Sequence, residues 1–173
     1  METLRFRPGR TSDYMFITTS CEFRKYNDSD PEMIELYEFL NKVFVDKSMR
    51  NYFLDVTCRL LIGGNTEKNC YMLIGNGDNA KSILFALLQE VFGEYACKIP
   101  TTVLTGSKPA AGRPIPELSR IGMGVRLVGA DEPEDGAEFN PGTYKLLTGG
   151  DAFYVRGLFQ EGGEQTPMYR LFC

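Results

Sequence analysis

The sequence predicts an α/β fold in which a parallel β-sheet core follows a small helical segment. Two observations lead to this prediction. Over residues 30–62 apolar side chains recur every three to four positions, which is the period of amphipathic helices. From residue 70 onwards short apolar runs alternate with helical stretches. Because parallel strands need a crossover connection, this alternation is typical of a parallel sheet.

Composition limits the classes of function that the chain can serve. The 173 residues, 43% hydrophobic and 24% charged, suffice for one domain with a core. The formal net charge of −4 gives no strong basic field, so any contact with DNA must be local or shared between subunits. The chain has no histidine, which excludes Ser-His-Asp triads and HExxH zinc sites. Chemistry must therefore use carboxylates, lysine, arginine, hydroxyls or a bound metal.

Cysteine usage and hydropathy indicate where the chain resides. The chain has five cysteines, an odd number, and none of them forms a CxxC pair. This argues against a disulfide framework and favours a reducing, cytoplasmic compartment. No apolar run reaches the 18 residues of a membrane span, and no signal peptide is recognisable. We therefore expect no membrane association.

The elements follow from periodicity and from turn residues. Asp30 as cap and Pro31 in the first turn predict a helix over 30–47, and Gly63 and Gly64 end a second helix over 48–62. The predicted elements that follow are strand 70–75, helix 80–93, strand 95–104, loop 106–117, strand 125–133, helix 140–148, and strands 151–159 and 168–173. This divides the chain into an irregular linker (1–30), a helical segment (31–64) and a core (65–173). Because the sequence stops inside its last strand, we expect a fragment.

A glycine-rich stretch between the first strand and its helix predicts a phosphate-binding loop. Glycines let backbone N–H groups turn towards phosphate oxygens, and the helix N-terminus adds partial positive charge. In a Walker A loop, Lys81 would reach the β- and γ-phosphates of ATP, and Ser82 would bind Mg²⁺. The alternative is an ordinary glycine turn with a solvated lysine. The candidate ATP-binding residues are Gly75, Asn76, Gly77, Asp78, Asn79, Ala80, Lys81 and Ser82.

Two acids at the end of a later strand predict the partner motif. The stretch RLVGADEP places Asp131 and Glu132 after an apolar run, and ligands of open α/β sheets bind at the carboxyl ends of strands. A Walker B motif needs one carboxylate for Mg²⁺ and one to polarise the attacking water. We assign Asp131 to the metal and Glu132 to the water. A solvated acidic turn is the alternative.

With both motifs present, the chain resembles superfamily 3 helicases, and specifically the poxvirus-type primase–helicases of large DNA viruses, phages and plasmids. The resemblance covers roughly residues 10–173 and implies a P-loop NTPase core of the AAA+-like type. It includes FGEYA after the first core helix and the family's B-prime motif in KLLTGGDAFYVRGLF. The residues in register with B-prime are Lys145, Thr148, Gly149, Gly150, Asp151 and Arg156.

The sequence departs from the family pattern in two respects. Ala80 stands where the consensus loop has glycine, although minichromosome maintenance helicases carry Ala-Lys-Ser there. A Cβ at this position costs little where φ is negative. The family's motif C asparagine is expected just after MYRLFC, the arginine finger beyond it, and the primase region upstream. We therefore expect weak or no turnover by this chain alone.

The resemblance implies an ATP-driven ring, usually a hexamer, that translocates on single-stranded or forked DNA, with an attached or associated primase. It makes Lys145 and Arg156 candidates for phosphate or subunit contacts, and Tyr154 a candidate for base stacking. Two other functions remain open. A P-loop phosphotransferase such as a nucleoside kinase shares the loop but needs an acceptor pocket and lid arginines. A degenerate nucleotide-binding module would hold a ring together without turnover, and Ala80 favours it.

Overall fold

The predicted α/β fold with a parallel-sheet core is confirmed. The computed structural model describes residues 7–19, 21–75, 77, 79–107, 113–122 and 124–173. Its helices are α1 (Pro31–Val43), α2 (Lys47–Arg59), α3 (Lys81–Phe92), α4 (Thr102–Thr105), α5 (Pro116–Ser119) and α6 (Pro141–Thr148). Its strands are β1 (Cys70–Tyr71), β2 (Ala96–Ile99), β3 (Leu127–Ala130), β4 (Phe153–Val155), β5 (Gly163–Gln165) and β6 (Arg170–Phe172).

Four strands form one parallel sheet in the order β1-β6-β3-β2, and β4 and β5 form a separate antiparallel hairpin. The last strand in sequence, β6, therefore lies between β1 and β3. Because all four strands are parallel, their carboxyl ends meet at one edge of the sheet. This edge receives the glycine-rich loop after β1 and the acidic residues after β3.

The sheet is covered on both faces because successive strand side chains alternate between them. Leu127 and Phe172 belong to a core cluster with residues of α1, α2 and α3. Their neighbours Val128 and Leu171 belong to a second cluster with residues of α4, α5, α6 and β4. Burial on both faces explains why LVGA of β3 is a continuous apolar run and not an alternating one.

Two helices precede the sheet, and both are shorter than the predicted helices 30–47 and 48–62. Asp30 is the N-cap residue of α1, but its carboxylate accepts from the side chain of Asn27 and makes no cap hydrogen bond. The buried side of α2 is centred on Phe53, Val56 and Leu60. Met49 and Tyr52 of the same helix are more than half exposed. No helix within the described ranges is long and apolar enough to cross a membrane.

All five predicted strands are shorter than expected, including 151–159, which contracts to β4, and 168–173, which contracts to β6. The first ends at Tyr71, although the Leu73 N–H still donates to the Cys173 carbonyl at 2.7 Å. The predicted strand 95–104 ends at Ile99, because Pro100 cannot donate to a sheet and the chain then turns into α4. Strand 125–133 contracts to β3, and residues 108–112 of the predicted loop lie outside the described residues. We did not predict β5, whose GEQ sequence carries no apolar alternation.

Candidate active site

A cavity of about 350 Å³ opens at the carboxyl-end edge of the sheet. It is lined both by residues of the glycine-rich loop and by the acids after β3. The predicted site residues along its wall are Gly75, Lys81, Ser82, Asp131 and Glu132. Residues that lie 49 positions apart or more in sequence are thus brought to one cavity. Its size is within the range of small-molecule sites.

The Lys81 side chain reaches back to the start of the loop. The Lys81 ammonium donates to the Gly75 carbonyl at 2.7 Å, and among the described residues it forms no ion pair. The Asn79 amide lies over Gly75, where an added Cβ would come within 1.8 Å of Asn79 Nδ2. Position 75 therefore has to be glycine while Asn79 keeps this orientation. Two of the predicted ligands, Asn76 and Asp78, lie outside the described residues, and Gly77 is exposed.

The backbone conformation of Ala80 differs from the one in which a Cβ costs little. Its φ is +61° and its ψ is 12°, in the left-handed region. Ala80 therefore does not have the negative φ at which a Cβ costs little. Left-handed geometry costs a non-glycine residue about 1–2 kcal/mol, which explains why the consensus loop has glycine there. The loop carries local strain next to the cavity.

Helix α3 fixes the two residues that follow Ala80. The helix begins at Lys81, and the Leu84 N–H donates to the Ala80 carbonyl at 2.9 Å. Four side chains anchor the helix on the sheet: Leu84, Phe85, Leu88 and Phe92. This packing leaves Lys81 and Ser82 in the first turn at the sheet edge, where the helix dipole favours an anion.

The acids are held by the strand beneath them. Asp131 and Glu132 are both exposed, and the Thr101 hydroxyl donates to the Asp131 carbonyl oxygen. Gly129 precedes them on β3, and a Cβ there would lie 2.0 Å from the ring of Phe85. The close approach of α3 to β3 therefore requires glycine at 129. This contact sets the distance between the helix that carries Lys81 and the strand that carries the acids.

Lys98 is a site residue that sequence reasoning missed. It lies on β2, lines the cavity, and places its ammonium 3.4 Å from Asp131 Oδ1. The same ammonium lies 5.2 Å from the ring centroid of Phe85. A charged residue in the apolar run ACKI was the available signal. This signal could be interpreted only once β2 was known to pair with β3, and the sequence alone does not predict that pairing.

Cys173 contributes a neutral side chain to the cavity wall. Cys173 lines it, and its sulfur lies 3.7 Å from that of Cys70 on the neighbouring strand. This hydrogen bond, together with burial, raises the pKa of the Cys173 thiol. The thiol therefore adds no negative charge beside the carboxylates.

The three candidate DNA-contacting residues lie away from this cavity. Lys145 is exposed on α6. Tyr154 is 58% exposed on β4, with its hydroxyl end over Gly162 of the same hairpin. Arg156 follows β4 and donates from Nε to the Gln160 carbonyl at 3.2 Å. Phe153 and Val155 are buried, so Tyr154 and Arg156 share the outward side of the hairpin.

The donor set fits a magnesium-bound polyphosphate. Within the described ranges, no group of three or more carboxylate, thiol or imidazole side chains could hold a metal by itself. Ser82 and Asp131 both line the cavity and offer two oxygen ligands. Magnesium in nucleotide sites takes one or two protein ligands and completes its shell with phosphates and waters.

The chain is similar to proteins of large DNA viruses. It is 38% identical over 177 residues to "Putative helicase 121R" of Invertebrate iridescent virus 3, covering 99% of this chain and 19% of that protein. It is 36% identical over 148 residues to "Putative helicase 022R" of Frog virus 3, with coverage of 84% and 15%. It is 32% identical over 167 residues to "Putative helicase L207/L206" of Acanthamoeba polyphaga mimivirus, with coverage of 96% and 17%.

The chain is homologous to one segment of these viral proteins. It spans less than a fifth of their length. No protein-family model matches the chain. Among solved structures, the A form apo structure of the NrS-1 C-terminal region matches with a TM-score of 0.56 and 14% identity. The match covers 82% of this chain and 31% of that one, and it supports the α/β fold described above.

Proposed function

We propose that this chain is the ATP-binding part of a superfamily 3 DNA helicase. The observation that carries the proposal is the single cavity that holds Lys81 and Ser82 of the loop together with Asp131 and Glu132 of β3. Homology to viral proteins named as helicases supports the same assignment. The resemblance of the loop, of RLVGADE and of KLLTGGD to the motifs of this superfamily adds the finer class.

Each cavity residue has a role that its position allows. Lys81 exchanges the Gly75 carbonyl for oxygens of the β- and γ-phosphates, which are stronger acceptors for an ammonium. Ser82 and Asp131 hold Mg²⁺, which neutralises phosphate charge when it is bound. Glu132 accepts a hydrogen bond from the attacking water and orients it towards the γ-phosphate. The backbone of residues 75–80 binds the phosphates through its N–H groups.

Motor action needs more than this chain. We propose that copies assemble into a ring, as a hexamer, with the nucleotide between subunits and an arginine from the neighbour completing the site. An arginine finger raises the rate about 10³–10⁵-fold where it has been measured, so an isolated copy is expected to turn over slowly. Single-stranded or forked DNA passes through the ring, and a primase is attached to it or associated with it.

The DNA-contacting surface in this proposal is the β4–β5 hairpin with α6. Tyr154 and Arg156 lie on the outward side of the hairpin, so their exposure suits stacking and phosphate contacts. Lys145 adds an exposed cation on α6. Ring symmetry multiplies each cation, so a net charge of −4 is compatible with a basic channel.

The remaining proposals concern organisation and location. Residues 65–173 form the ATPase core, 31–64 a helical segment that packs on it, and 1–30 a linker. The protein works in a reducing compartment, in the cytoplasm or at a viral replication site, and its free cysteines suit that environment.

The decisive test is ATP hydrolysis with and without single-stranded DNA. It should be measured on this chain and on a polypeptide extended to the length of the viral relatives. We expect hydrolysis by the extended form to rise with DNA and to vanish in Lys81→Ala, with far slower turnover by the chain alone. An exposed lysine outside the cavity, Lys47→Ala, is the matched control.

Two other outcomes would assign a different function. Tight Mg-ATP binding without turnover in the extended form, with or without DNA, would leave a structural nucleotide-binding module. ATP turnover that is unchanged by DNA but increases with a small phosphate acceptor would indicate a phosphotransferase.

A further inference from the structure

We propose that Lys98 is a positioning residue whose ammonium and a divalent metal ion are alternative partners of the Asp131 carboxylate. The inference rests on the proposed role of Asp131 in holding metal. It goes beyond that role by naming a residue of β2 that controls when metal binds. In this arrangement a metal ion binds weakly when no phosphate is present. It binds well together with a phosphate group, because the phosphate gives Lys98 another anionic partner.

The position of Lys98 is set by the sheet. Lys98 and Gly129 are register partners on β2 and β3, and Asp131 follows two residues later at the same edge. The Lys98 ammonium lies 3.4 Å from Asp131 Oδ1, within ion-pair distance. It also lies 5.2 Å from the centroid of the Phe85 ring, which favours a cation at that side. The ammonium thus contacts both the Asp131 carboxylate and the Phe85 ring.

Competition follows from distance and charge. A magnesium ion bound to Asp131 Oδ1 would lie no further than about 6 Å from the ammonium. Like charges at that separation repel even in an aqueous dielectric. A bound phosphate relieves the repulsion, because its oxygens accept from the ammonium. Lys98 lines the same cavity as Lys81 and Ser82, so a phosphate that these residues bind is in the same space.

Solvent limits how strongly the Lys98 charge affects the metal affinity. The side chains of Lys98 and Asp131 are 49% and 69% exposed, so water and salt screen their interaction. We therefore expect removal of the ammonium to tighten metal binding to the nucleotide-free chain by about three- to tenfold.

The test is binding of Mn²⁺ to the 173-residue chain without nucleotide, followed by the electron paramagnetic resonance signal of free Mn²⁺. Lys98→Met keeps an unbranched apolar side chain and removes the charge. Its Mn²⁺ dissociation constant should fall by the stated factor. Lys98→Arg restores a cation and should stay within about twofold of the parent chain. Lys42→Met removes an exposed lysine outside the cavity and controls for net charge.

Asp131→Asn separates this inference from the proposed function. If Asp131→Asn weakens Mn²⁺ binding while Lys98→Met matches the parent chain, Asp131 holds metal and the role of Lys98 is refuted. If Asp131→Asn changes nothing, or if neither the parent chain nor Lys98→Met binds Mn²⁺, the inference and the metal role of Asp131 both fail. An equal increase in Mn²⁺ affinity in Lys42→Met would also refute the role of Lys98. Circular dichroism and urea unfolding confirm that the variants fold.

A second measurement reports on phosphate. The increase in ATP affinity that Mg²⁺ produces should be larger for the parent chain than for Lys98→Met, measured with a fluorescent ATP analogue. Equal increases in both would contradict the coupling. A chain that binds Mn²⁺ as expected but binds no ATP analogue would refute the proposed function alone.

Discussion

Replacing Ala80 with glycine tests the strained loop directly. Ala80 has a φ of +61° immediately before α3. A left-handed alanine is strained by about 1–2 kcal/mol, and glycine removes this strain because it has no Cβ. Glycine also gains conformational freedom in the unfolded chain, which lowers stability by about 0.4–1 kcal/mol. The expected net effect of Ala80→Gly is an increase of about 0.5–1 kcal/mol in the free energy of unfolding.

The same helix supplies a matched control. Ala86 is exposed in the middle of α3, where its backbone is helical. Glycine in a helix interior is less favourable than alanine by about 1 kcal/mol. Ala86→Gly should therefore lower the free energy of unfolding by about that amount. The two substitutions make the same chemical change and should have opposite signs.

Urea unfolding followed by circular dichroism measures both effects. The midpoint should rise for Ala80→Gly and fall for Ala86→Gly, with the slope unchanged. In thermal unfolding, 1 kcal/mol corresponds to about 2–4 °C for a chain of this size. If Ala80→Gly destabilises the chain as much as Ala86→Gly does, Ala80 is not left-handed in solution and the strain argument is refuted.

Two further predictions concern the core beneath the site. Gly129→Ala should destabilise the chain by about 1–3 kcal/mol, since its Cβ would lie 2.0 Å from the Phe85 ring. Gly163→Ala on β5, where a Cβ meets nothing within 4 Å, should be close to neutral in the same urea titration; equal losses would contradict the clash. Burial raises the pKa of the Cys97 thiol to about 11, so about one thousandth of it is thiolate at pH 8. Iodoacetamide should therefore label exposed Cys21 far ahead of Cys97, and mass spectrometry showing equal rates would refute this.

The fold was predictable to the extent that local patterns determine it. Periodicity located α1, α2, α3 and α6 because each has a row of apolar side chains at helical spacing. Glycine marked the turn that follows α2, at Gly63 and Gly64, whose φ values are +77° and +79°, although the helix already ends at Arg59. The order of strands was not predictable, because it depends on contacts between segments far apart in sequence. β5 was missed for a related reason: only pairing with β4 makes GEQ a strand.

The motifs predicted which residues meet at the cavity, but not which other residues lie beside them. The types and spacing of Lys81, Ser82, Asp131 and Glu132 already indicated a phosphate and a metal. Lys98 carries no motif, and its place beside Asp131 comes from the register of β2 on β3. The conformation of Ala80 was misjudged because a Walker-type sequence gives residue identities and not backbone dihedrals.

The position of β6 gives a physical basis to one expectation from the family resemblance. β6 lies between β1, which leads to the glycine-rich loop, and β3, which leads to the acids. Its carboxyl end therefore opens between the two halves of the site, and Cys173 already lines the cavity there. A hydrogen-bonding side chain just after β6 would stand at the edge of the cavity that Lys81 and Glu132 line. The superfamily's motif C asparagine is expected at this point of the sequence, so the sheet order supplies a reason for a polar amide there.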